Sequence, residues 1–164
     1  MSNASPSVLP WEGGCRCGEL RFRIDAAPIF SSACHCSGCQ RMSGSAFSLT
    51  LMVPKAGFAV TAGEPALGGM RAPELAHWFC PSCMSWVYTE PAGMDFVNVR
   101  ATLLDDASWF APFAETFTSE GLAWARTGAP KSYERFPSMD ELGALLGAHA
   151  EWARARGWPA PSGG

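Results

Sequence analysis

The order of apolar and polar residues predicts that most of this chain is β-strand. Leu20, Phe22 and Ile24 alternate with arginines, which is the period of a strand that buries one face. A continuous apolar run over residues 46–53 ends at Pro54 and predicts a second strand.

Shorter apolar segments and their turns follow along the chain. Residues 58–60 lead into a turn at Gly63, and the pair Gly68-Gly69 is expected to lie in a further loop. Residues 86–88 and 96–100 predict two strands joined by a Pro-Ala-Gly turn, which is typical of a β-hairpin.

The C-terminal part of the chain shows helical spacing instead. Ser138, followed three residues later by Glu141, forms a capping box and marks the start of a helix, which Gly157 and Pro159 end. Between these signals the apolar side recurs at helical spacing, at Leu142, Leu145, Leu146, His149 and Trp152. This amphipathic helix is a candidate surface for a homodimer.

The elements predict a mainly β fold with a C-terminal helix. A chain of 164 residues, 48% of them hydrophobic, supplies one ordinary core. We therefore expect a single β domain over residues 11–137 and the helix over residues 138–157. Residues 1–10 are expected to be disordered or a tag remnant, and residues 158–164 a frayed tail.

Charge and hydropathy narrow the classes of function. The net charge is −3 and no run of Lys or Arg occurs, so a nucleic-acid or acidic-membrane partner is not expected. No apolar stretch is long enough for a transmembrane helix. Residues 1–10 lack the basic and apolar regions of a secretory signal, and the expected location is the cytoplasm.

The cysteines carry the most specific signal. There are seven, an odd number, and each falls into one of three tight groups spaced C-x-C, C-x-C-x-x-C and C-x-x-C. An odd count without an export signal argues against a disulfide framework. Thiolates this close repel one another unless a cation lies between them, so the spacing predicts zinc. The cysteines are Cys15, Cys17, Cys34, Cys36, Cys39, Cys80 and Cys83.

Seven thiolates divide naturally into a closed and an open site. A structural zinc takes four protein ligands, whereas a catalytic zinc keeps one position open. The pairs Cys15/Cys17 and Cys80/Cys83 can close one site, and Cys34, Cys36 and Cys39 can form a second with a vacancy. We expect two zincs per chain, one structural and one catalytic and more labile. In the alternative, a nearby His or acid completes the second site and both zincs are structural.

Several of these motifs together resemble a known family. The order, spacing and flanking residues of segments 14–18, 34–41, 44–47 and 79–83 are similar to those of the glutathione-dependent formaldehyde-activating enzymes, whose domain also occurs in centromere protein V. The resemblance covers roughly residues 11–137. Many members carry Gly directly after the last cysteine, where this chain has Met84-Ser85, so the chain looks like a branch that departs from the usual motif.

The resemblance implies a β-tent-type fold, the same four-plus-three zinc division and a specific activity. That activity joins glutathione to formaldehyde and is formally a carbon–sulfur lyase of the S-(hydroxymethyl)glutathione synthase type. An open zinc could hold the thiol as thiolate beside a small aldehyde. Arg41 and Arg100, with Lys55, are candidates to bind the carboxylates of glutathione, and Cys34, Cys36 and Cys39 are the expected catalytic cysteines.

Two histidines and several aromatic residues are expected to have structural roles. His35 is expected to turn away from the zinc into a hydrogen bond or to the surface, and His77 to lie in a loop. The stretch over residues 109–133 has no regular period and stays unassigned. Its aromatic residues are expected to pack in the core rather than line a pocket: Trp109, Phe110, Phe113, Phe117 and Trp124.

Two other functions remain open at this point. The chain could be a non-catalytic zinc scaffold that binds a protein partner. It could also have a chromatin or cytoskeletal role like that of centromere protein V, but the basic extensions on which that role depends are missing. The fourth ligand of the three-cysteine site distinguishes enzyme from scaffold, because solvent or a small thiol there favours chemistry and a protein side chain favours a scaffold.

Overall fold

The computed structural model describes residues 8–159, apart from the side chain of Arg71, and these residues form a mainly β fold with two helices. The predictions for residues 1–7 and 160–164 lie outside this range. The strands are β1 Trp11–Gly14, β2 Arg21–Ile24, β3 Phe30–Cys34, β4 Ser48–Pro54, β5 Phe58–Ala62, β6 Ala66–Ala72, β7 Leu75–Phe79, β8 Trp86–Pro91, β9 Phe96–Arg100, β10 Ala114–Thr116 and β11 Lys131–Ser132. The helices are α1 Ser37–Ser43 and α2 Met139–Ala155.

The strands form two sheets. The smaller has the order β1-β2-β5, and the larger has the order β11-β10-β3-β4-β9-β8-β7-β6. Strand β10 runs parallel to both β3 and β11, and the other recorded pairs are antiparallel. Because successive side chains of a strand point to opposite faces, each central strand contributes one set of residues to the core and a second set to the other face.

The main core lies on one of these faces, and a smaller cluster that includes Phe30 and Phe113 packs beside helix α2. Leu51, Val53, Val97 and Val99 of β4 and β9 are at most 1% exposed and pack with Phe22 of the smaller sheet. Burial of such side chains contributes roughly 1.5–3 kcal/mol each to stability. The residues that alternate with them face the cavity described below.

Most predicted elements are confirmed. The Leu20–Ile24 alternation forms β2, the 46–53 run forms β4, and the predicted hairpin is the antiparallel pair β8–β9. Across residues 8–159, no helix has the length and apolar character needed to cross a bilayer.

The prediction of a loop at Gly68-Gly69 is wrong, because both residues belong to β6. The pairing of β6 with β7 shifts between Gly68 and Ala72, and Gly69 has φ +61°. A Cβ on Gly68 would lie 2.6 Å from the Phe79 ring. These glycines therefore mark an irregular strand that passes close to an aromatic side chain.

The C-terminal helix begins and ends as predicted. Ser138 and Glu141 form the capping box, and Gly157 at φ +75° follows the last turn. The Trp158 amide donates to the Ala153 carbonyl at 3.0 Å, as in a Schellman motif. The expectation that the tail frays from residue 158 is wrong for Trp158 itself, which is 4% exposed because it packs on other aromatic rings.

Candidate functional site

Four cysteines meet where two turns from different sheets come together. The β1–β2 turn carries Cys15 and Cys17, and the β7–β8 turn carries Cys80 and Cys83. Their four sulfurs lie within 4.8 Å of one another, and the Sγ atoms of Cys17 and Cys80 are 3.7 Å apart. The first turn belongs to the smaller sheet and the second to the larger, so this cluster joins the two sheets.

Hydrogen bonds to Cys15 and Ser85 connect residues within and between the two turns. The Leu20 amide donates to Cys15 Sγ at 3.3 Å. Ser85 Oγ lies 3.2 Å from Cys83 Sγ and accepts a hydrogen bond from the Arg16 amide, also at 3.2 Å. The Ser85 hydroxyl lowers the pKa of the Cys83 thiol to about 5. Ser85 thus connects both turns and favours the thiolate form that a metal requires.

The departure from the family motif at Met84 has a backbone explanation. Met84 has φ +58°, in the left-handed region that glycine adopts without strain, and its amide donates to the Cys80 carbonyl at 2.9 Å. The turn therefore keeps the conformation that suits glycine while it carries a methionine, whose side chain is exposed.

The three remaining cysteines come from one short segment. Cys34 ends β3, Cys36 is the N-cap of α1, and Cys39 lies in its first turn, where its amide donates to Cys36 Sγ at 3.3 Å. Their sulfurs also lie within 4.8 Å of one another. Sequence reasoning missed α1, because its seven residues are too few for a helical period.

A neighbouring segment holds this cysteine loop in place. The His35 amide donates to the Thr116 carbonyl at 2.9 Å, which continues the parallel pairing of β3 with β10. Gln40 Nε2 donates to the carbonyls of His35 at 2.6 Å and Glu120 at 3.1 Å. The Ser37 amide donates to the Glu120 carboxylate at 2.8 Å. The loop is thus fixed from outside its own sequence.

His35 is turned away from the sulfurs. Its ring is fully buried, its Nε2 lies 3.4 Å from Oε1 of Glu115, and it packs on Phe47. Thr127 donates two hydrogen bonds of 2.7 Å to the same oxygen. Burial alone would raise the pKa of Glu115, but the Thr127 bonds and His35 lower it below its ordinary value. Within residues 8–159, no His, Asp or Glu donor joins the three sulfurs.

Both clusters could hold a metal ion. Tetrahedral zinc with Zn–S bonds of about 2.3 Å places its sulfurs roughly 3.8 Å apart. Hydrogen bonds with Cys36 and Cys39 raise the pKa of the Cys34 thiol, while the bond from Cys34 lowers the pKa of Cys36 to about 2. Ionisation of one of the three thiols thus disfavours ionisation of its neighbours. A cation between the sulfurs would remove this repulsion.

The three-cysteine cluster opens into a cavity of about 440 Å³ on the face of the larger sheet opposite the main core. The floor is formed by side chains that alternate with core residues on β3, β4, β9 and β7. They include hydroxyl, amide and aromatic groups, namely Phe30, Ser32, Ser48, Thr50, Met52, Leu75, His77, Phe96, Asn98 and Arg100.

Of the three cations predicted to bind substrate, Arg100 lines this cavity. It is 7% exposed, donates to the Asn98 carbonyl at 3.1 Å and stacks 4.1 Å from the centre of the Trp86 ring. Burial lowers the pKa of Arg100 to about 10, and the nearby sulfurs of Cys39 and Cys34 act in the opposite direction.

The other two predicted cations do not line this cavity. Arg41 is exposed in the last turn of α1. Lys55 Nζ is paired with Glu90 at 3.1 Å, and Lys55 lines a different surface depression.

His77 is a cavity residue that sequence reasoning missed. It was expected in a loop, but it lies in β7 and is 9% exposed. Its Nδ1 is 2.9 Å from Thr89 Oγ1, which also accepts a hydrogen bond from Trp86 Nε1 at 3.1 Å. Burial lowers the pKa of His77, and the charge of Arg100 lowers it further. The apolar run directly before Cys80 was the available signal for this strand.

The aromatic residues of the stretch over residues 109–133 lie in different environments. Trp109, Phe110 and Phe113 pack in the core, as expected. Phe117 lines the cavity instead, with φ +56°, and Trp124 is 78% exposed, so the core prediction is wrong for these two.

A second, outer groove of about 330 Å³ adjoins the cavity. It shares Ser48, Trp86 and Arg100 with the cavity, so these three residues form the boundary between the two spaces. The other residues of the groove come from α1, its connection to β4, β4 itself, the four-cysteine turn and the segment after β9: Met42, Ser43, Ser45, Phe47, Leu49, Met84, Ser85, Thr102 and Leu103.

Comparison with known proteins places the chain in a family. The model of the family "glutathione-dependent formaldehyde-activating enzyme" matches residues 10–120, and the chain belongs to that family. A curated relative from Penicillium rubens that carries the family's name is 28% identical over 133 residues, which is 71% of this chain and 69% of the relative.

A second relative of that name, from Halomonas elongata, is 29% identical over 104 residues, or 57% of this chain and 65% of its own length. The chain thus spans about two thirds of the length of both relatives. A crystal structure of a Rhodobacter sphaeroides protein covers 57% of this chain and 87% of its own, with 19% identity and a TM-score of 0.49.

Proposed function

We propose that this protein joins a small thiol, glutathione or a relative of it, to a small aldehyde at the three-cysteine cluster. The reaction is formally that of a carbon–sulfur lyase of the S-(hydroxymethyl)glutathione synthase type. Family membership supports this proposal. The observation that carries it is the cluster of three sulfurs at the wall of a cavity, where no fourth His, Asp, Glu or Cys donor among residues 8–159 joins them.

The two clusters are proposed to hold zinc in different roles. Cys15, Cys17, Cys80 and Cys83 would hold a structural ion with four thiolates. Cys34, Cys36 and Cys39 would hold the second, which supplies a lowered thiol pKa and so a thiolate at neutral pH.

Arg100 balances the charge of the open site. Three thiolates and a divalent cation sum to a net charge of −1, which would oppose the approach of a further anionic sulfur. The buried guanidinium of Arg100 acts on Cys34 and Cys39 and makes only one hydrogen bond within the described part of the chain. Its positive charge brings the site close to neutrality and favours a substrate thiolate over a neutral thiol.

The addition itself needs little more than positioning and a donor for the oxygen. The thiolate sulfur forms a bond to the carbonyl carbon, the carbonyl π pair moves to oxygen, and the oxygen takes a proton from water. Ser48 lies opposite Cys34 in the β3–β4 register, and its buried hydroxyl has no hydrogen-bond partner of standard geometry among the described residues. It lies beside the Cys39 thiol and acts to lower the pKa of that thiol. We assign to this hydroxyl the hydrogen bond to the developing oxyanion.

The outer groove is the proposed site for the body of the thiol. Its hydroxyl groups, from Ser43, Ser45 and Ser85, suit a peptide-like molecule, and Arg100 stands at its inner end. Arg41, exposed next to Met42 of this groove, is the proposed second contact for a carboxylate.

Exchange spectroscopy can test this function. The rate of adduct formation from glutathione and formaldehyde is measured without protein, with the zinc-loaded protein, and with the Cys36→Ser and Ser48→Ala variants. Ser132→Ala, an exposed serine of β11 outside both the cavity and the outer groove, is the matched control.

We expect acceleration by the native protein, about tenfold less with Ser48→Ala and none with Cys36→Ser. Equal rates in all samples would exclude this substrate pair. If, in addition, no thiol perturbs the spectrum of a cobalt-substituted site, the protein is a zinc scaffold instead.

A further inference from the structure

The cavity beside the three cysteines is much larger than formaldehyde requires. Its volume is about 440 Å³, within the range of pockets that bury whole drug-sized ligands. A molecule with two non-hydrogen atoms cannot bind tighter than about millimolar even at the highest efficiency known for small ligands. The space is therefore suited to a substrate with a larger body.

Apolar side chains form a large part of the cavity wall. The apolar lining consists of Phe30, Met52, Leu75, Trp86, Phe96, Phe117 and Phe136. Among the described lining residues, Arg100 is the one charged side chain besides the cysteines, and it already faces Cys34 and Cys39. No described acidic side chain in the lining could pair with an ammonium group, so a zwitterionic body fits poorly here.

Phe117 is held in this wall by its neighbours. Its φ of +56° is unusual for a bulky residue, because the side chain crowds the following carbonyl in the left-handed region. The residue before it, Thr116, pairs with Cys34 in the parallel β3–β10 ladder. The pairing fixes the backbone that carries the ring beside the cysteine loop, and strained residues of this kind concentrate at functional sites.

The cavity also has an apolar rim. Phe136 is 50% exposed and Leu75 is 39% exposed, although both line the cavity. Large apolar side chains at the edge of a concave site are covered when a hydrocarbon ligand enters, which adds to its binding.

From these observations, and resting on the proposed function, we infer that the aldehyde substrate carries an aromatic or branched hydrocarbon group. The hydrocarbon packs against Phe117, Phe96 and Phe136, and the carbonyl faces the three sulfurs. The chemistry is unchanged: the thiolate sulfur bonds to the carbonyl carbon, the π pair moves to oxygen, water supplies the proton, and the product is the hemithioacetal of the larger aldehyde.

The test separates binding from reaction by using unreactive amides in place of aldehydes. Binding of benzamide and of formamide to the zinc-loaded protein is measured by saturation-transfer NMR and calorimetry. Phe117→Gly removes the ring and suits the left-handed backbone, so it is expected to fold. Trp124→Ala, which removes an exposed aromatic residue outside the cavity lining, is the control.

Benzamide is expected to bind at least tenfold more tightly than formamide. The Phe117→Gly substitution should reduce the affinity for benzamide about tenfold, and Trp124→Ala should leave that affinity unchanged. Equal affinity for the two amides, binding of neither, or equal effects of the two substitutions would overturn the inference.

The same experiment distinguishes failure here from failure of the proposed function. If glutathione adds to formaldehyde on the protein but benzamide does not bind, the larger substrate is excluded and the thiol chemistry stands. If benzamide binds through Phe117 and no aldehyde reacts, the cavity assignment stands and the lyase function is wrong.

Discussion

The two cysteine clusters use the same ligand atoms in opposite ways. The four-cysteine cluster connects turns that are 63 residues apart and that belong to different sheets. The three-cysteine cluster comes from six consecutive residues at the end of β3 and the start of α1. A metal ion in the first cluster would therefore constrain the whole fold, whereas one in the second would constrain only its own loop.

Their surroundings differ accordingly. Around the first cluster the polar contacts are short bonds within and between the two turns, such as those of Leu20 and Ser85. The second cluster faces a cavity, and its loop is positioned by the separate segment of residues 115–120. Besides the number of ligands, the two clusters differ in what their sulfurs face: one lies between two turns, and the other lies at the wall of a cavity.

The largest expected effect is on folding. Cys80→Ser should reduce the free energy of unfolding by more than about 4 kcal/mol, because it opens the cluster that joins the two sheets. Cys36→Ser should reduce it by about 1 kcal/mol or less. Thermal melts followed by circular dichroism give both values, and equal losses in the two variants would remove the distinction between the clusters.

Acid should weaken the side of the molecule that carries the three cysteines. Helix α2 packs on β3 through His149, whose buried ring lies among Phe30, Phe113 and Trp152. Burial lowers the pKa of His149 from 6.5 to about 4. The unfolded chain therefore binds a proton more readily, and stability that is complete above pH 6.5 is lost as the pH falls towards 4.

His149 should lower the free energy of unfolding by on the order of 3 kcal/mol as the pH falls from 6.5 to 4. Urea unfolding of the native protein and of His149→Phe at pH 7.5, 5.5 and 4.5 measures it. Because acid also protonates metal-bound thiolates in both proteins, the difference between them isolates His149. Parallel pH profiles would contradict the assignment.

The two clusters should also differ in how readily they release their metal ions, although this effect is smaller than the effects on stability. Three thiolates and an exchangeable ligand hold zinc less tightly than four thiolates, so we expect the Cys34/Cys36/Cys39 ion to leave at a chelator concentration at least about tenfold lower. Metal analysis during graded chelation, compared between the native protein and Cys36→Ser, follows each ion. Simultaneous loss of both ions from the native protein would contradict the division.

The smallest expected effect concerns the turn of the four-cysteine cluster. Met84→Gly should stabilise the protein by about 1 kcal/mol, because glycine adopts φ +58° without the strain that a side chain causes. The greater freedom of glycine in the unfolded chain offsets part of this gain. Ser85→Ala in the same turn is the control and should destabilise the protein. A melting temperature that Met84→Gly leaves unchanged or lowers would show that Met84 causes no backbone strain in this turn.

Local patterns in the sequence were sufficient for the regular elements. The alternation around Phe22, the hairpin of β8 and β9, and the Ser138–Glu141 capping box each record an interaction between residues a few positions apart. The grouping of the seven cysteines was also readable from spacing, because ligands on one turn must be close in sequence to bind one ion.

Long-range pairing decided the remainder. His77 and Phe117 were expected in a loop and in the core, yet both line the cavity, because the registers of β7 with β8 and of β10 with β3 bring them there. Glu115, whose carboxylate lies 3.4 Å from His35 Nε2, is eighty positions further along the chain, and no local pattern links the two. The sequence by itself determined which residues can bind metal, and only the tertiary structure determined that one set joins two sheets while the other faces a cavity, because that depends on contacts between strands far apart in the chain.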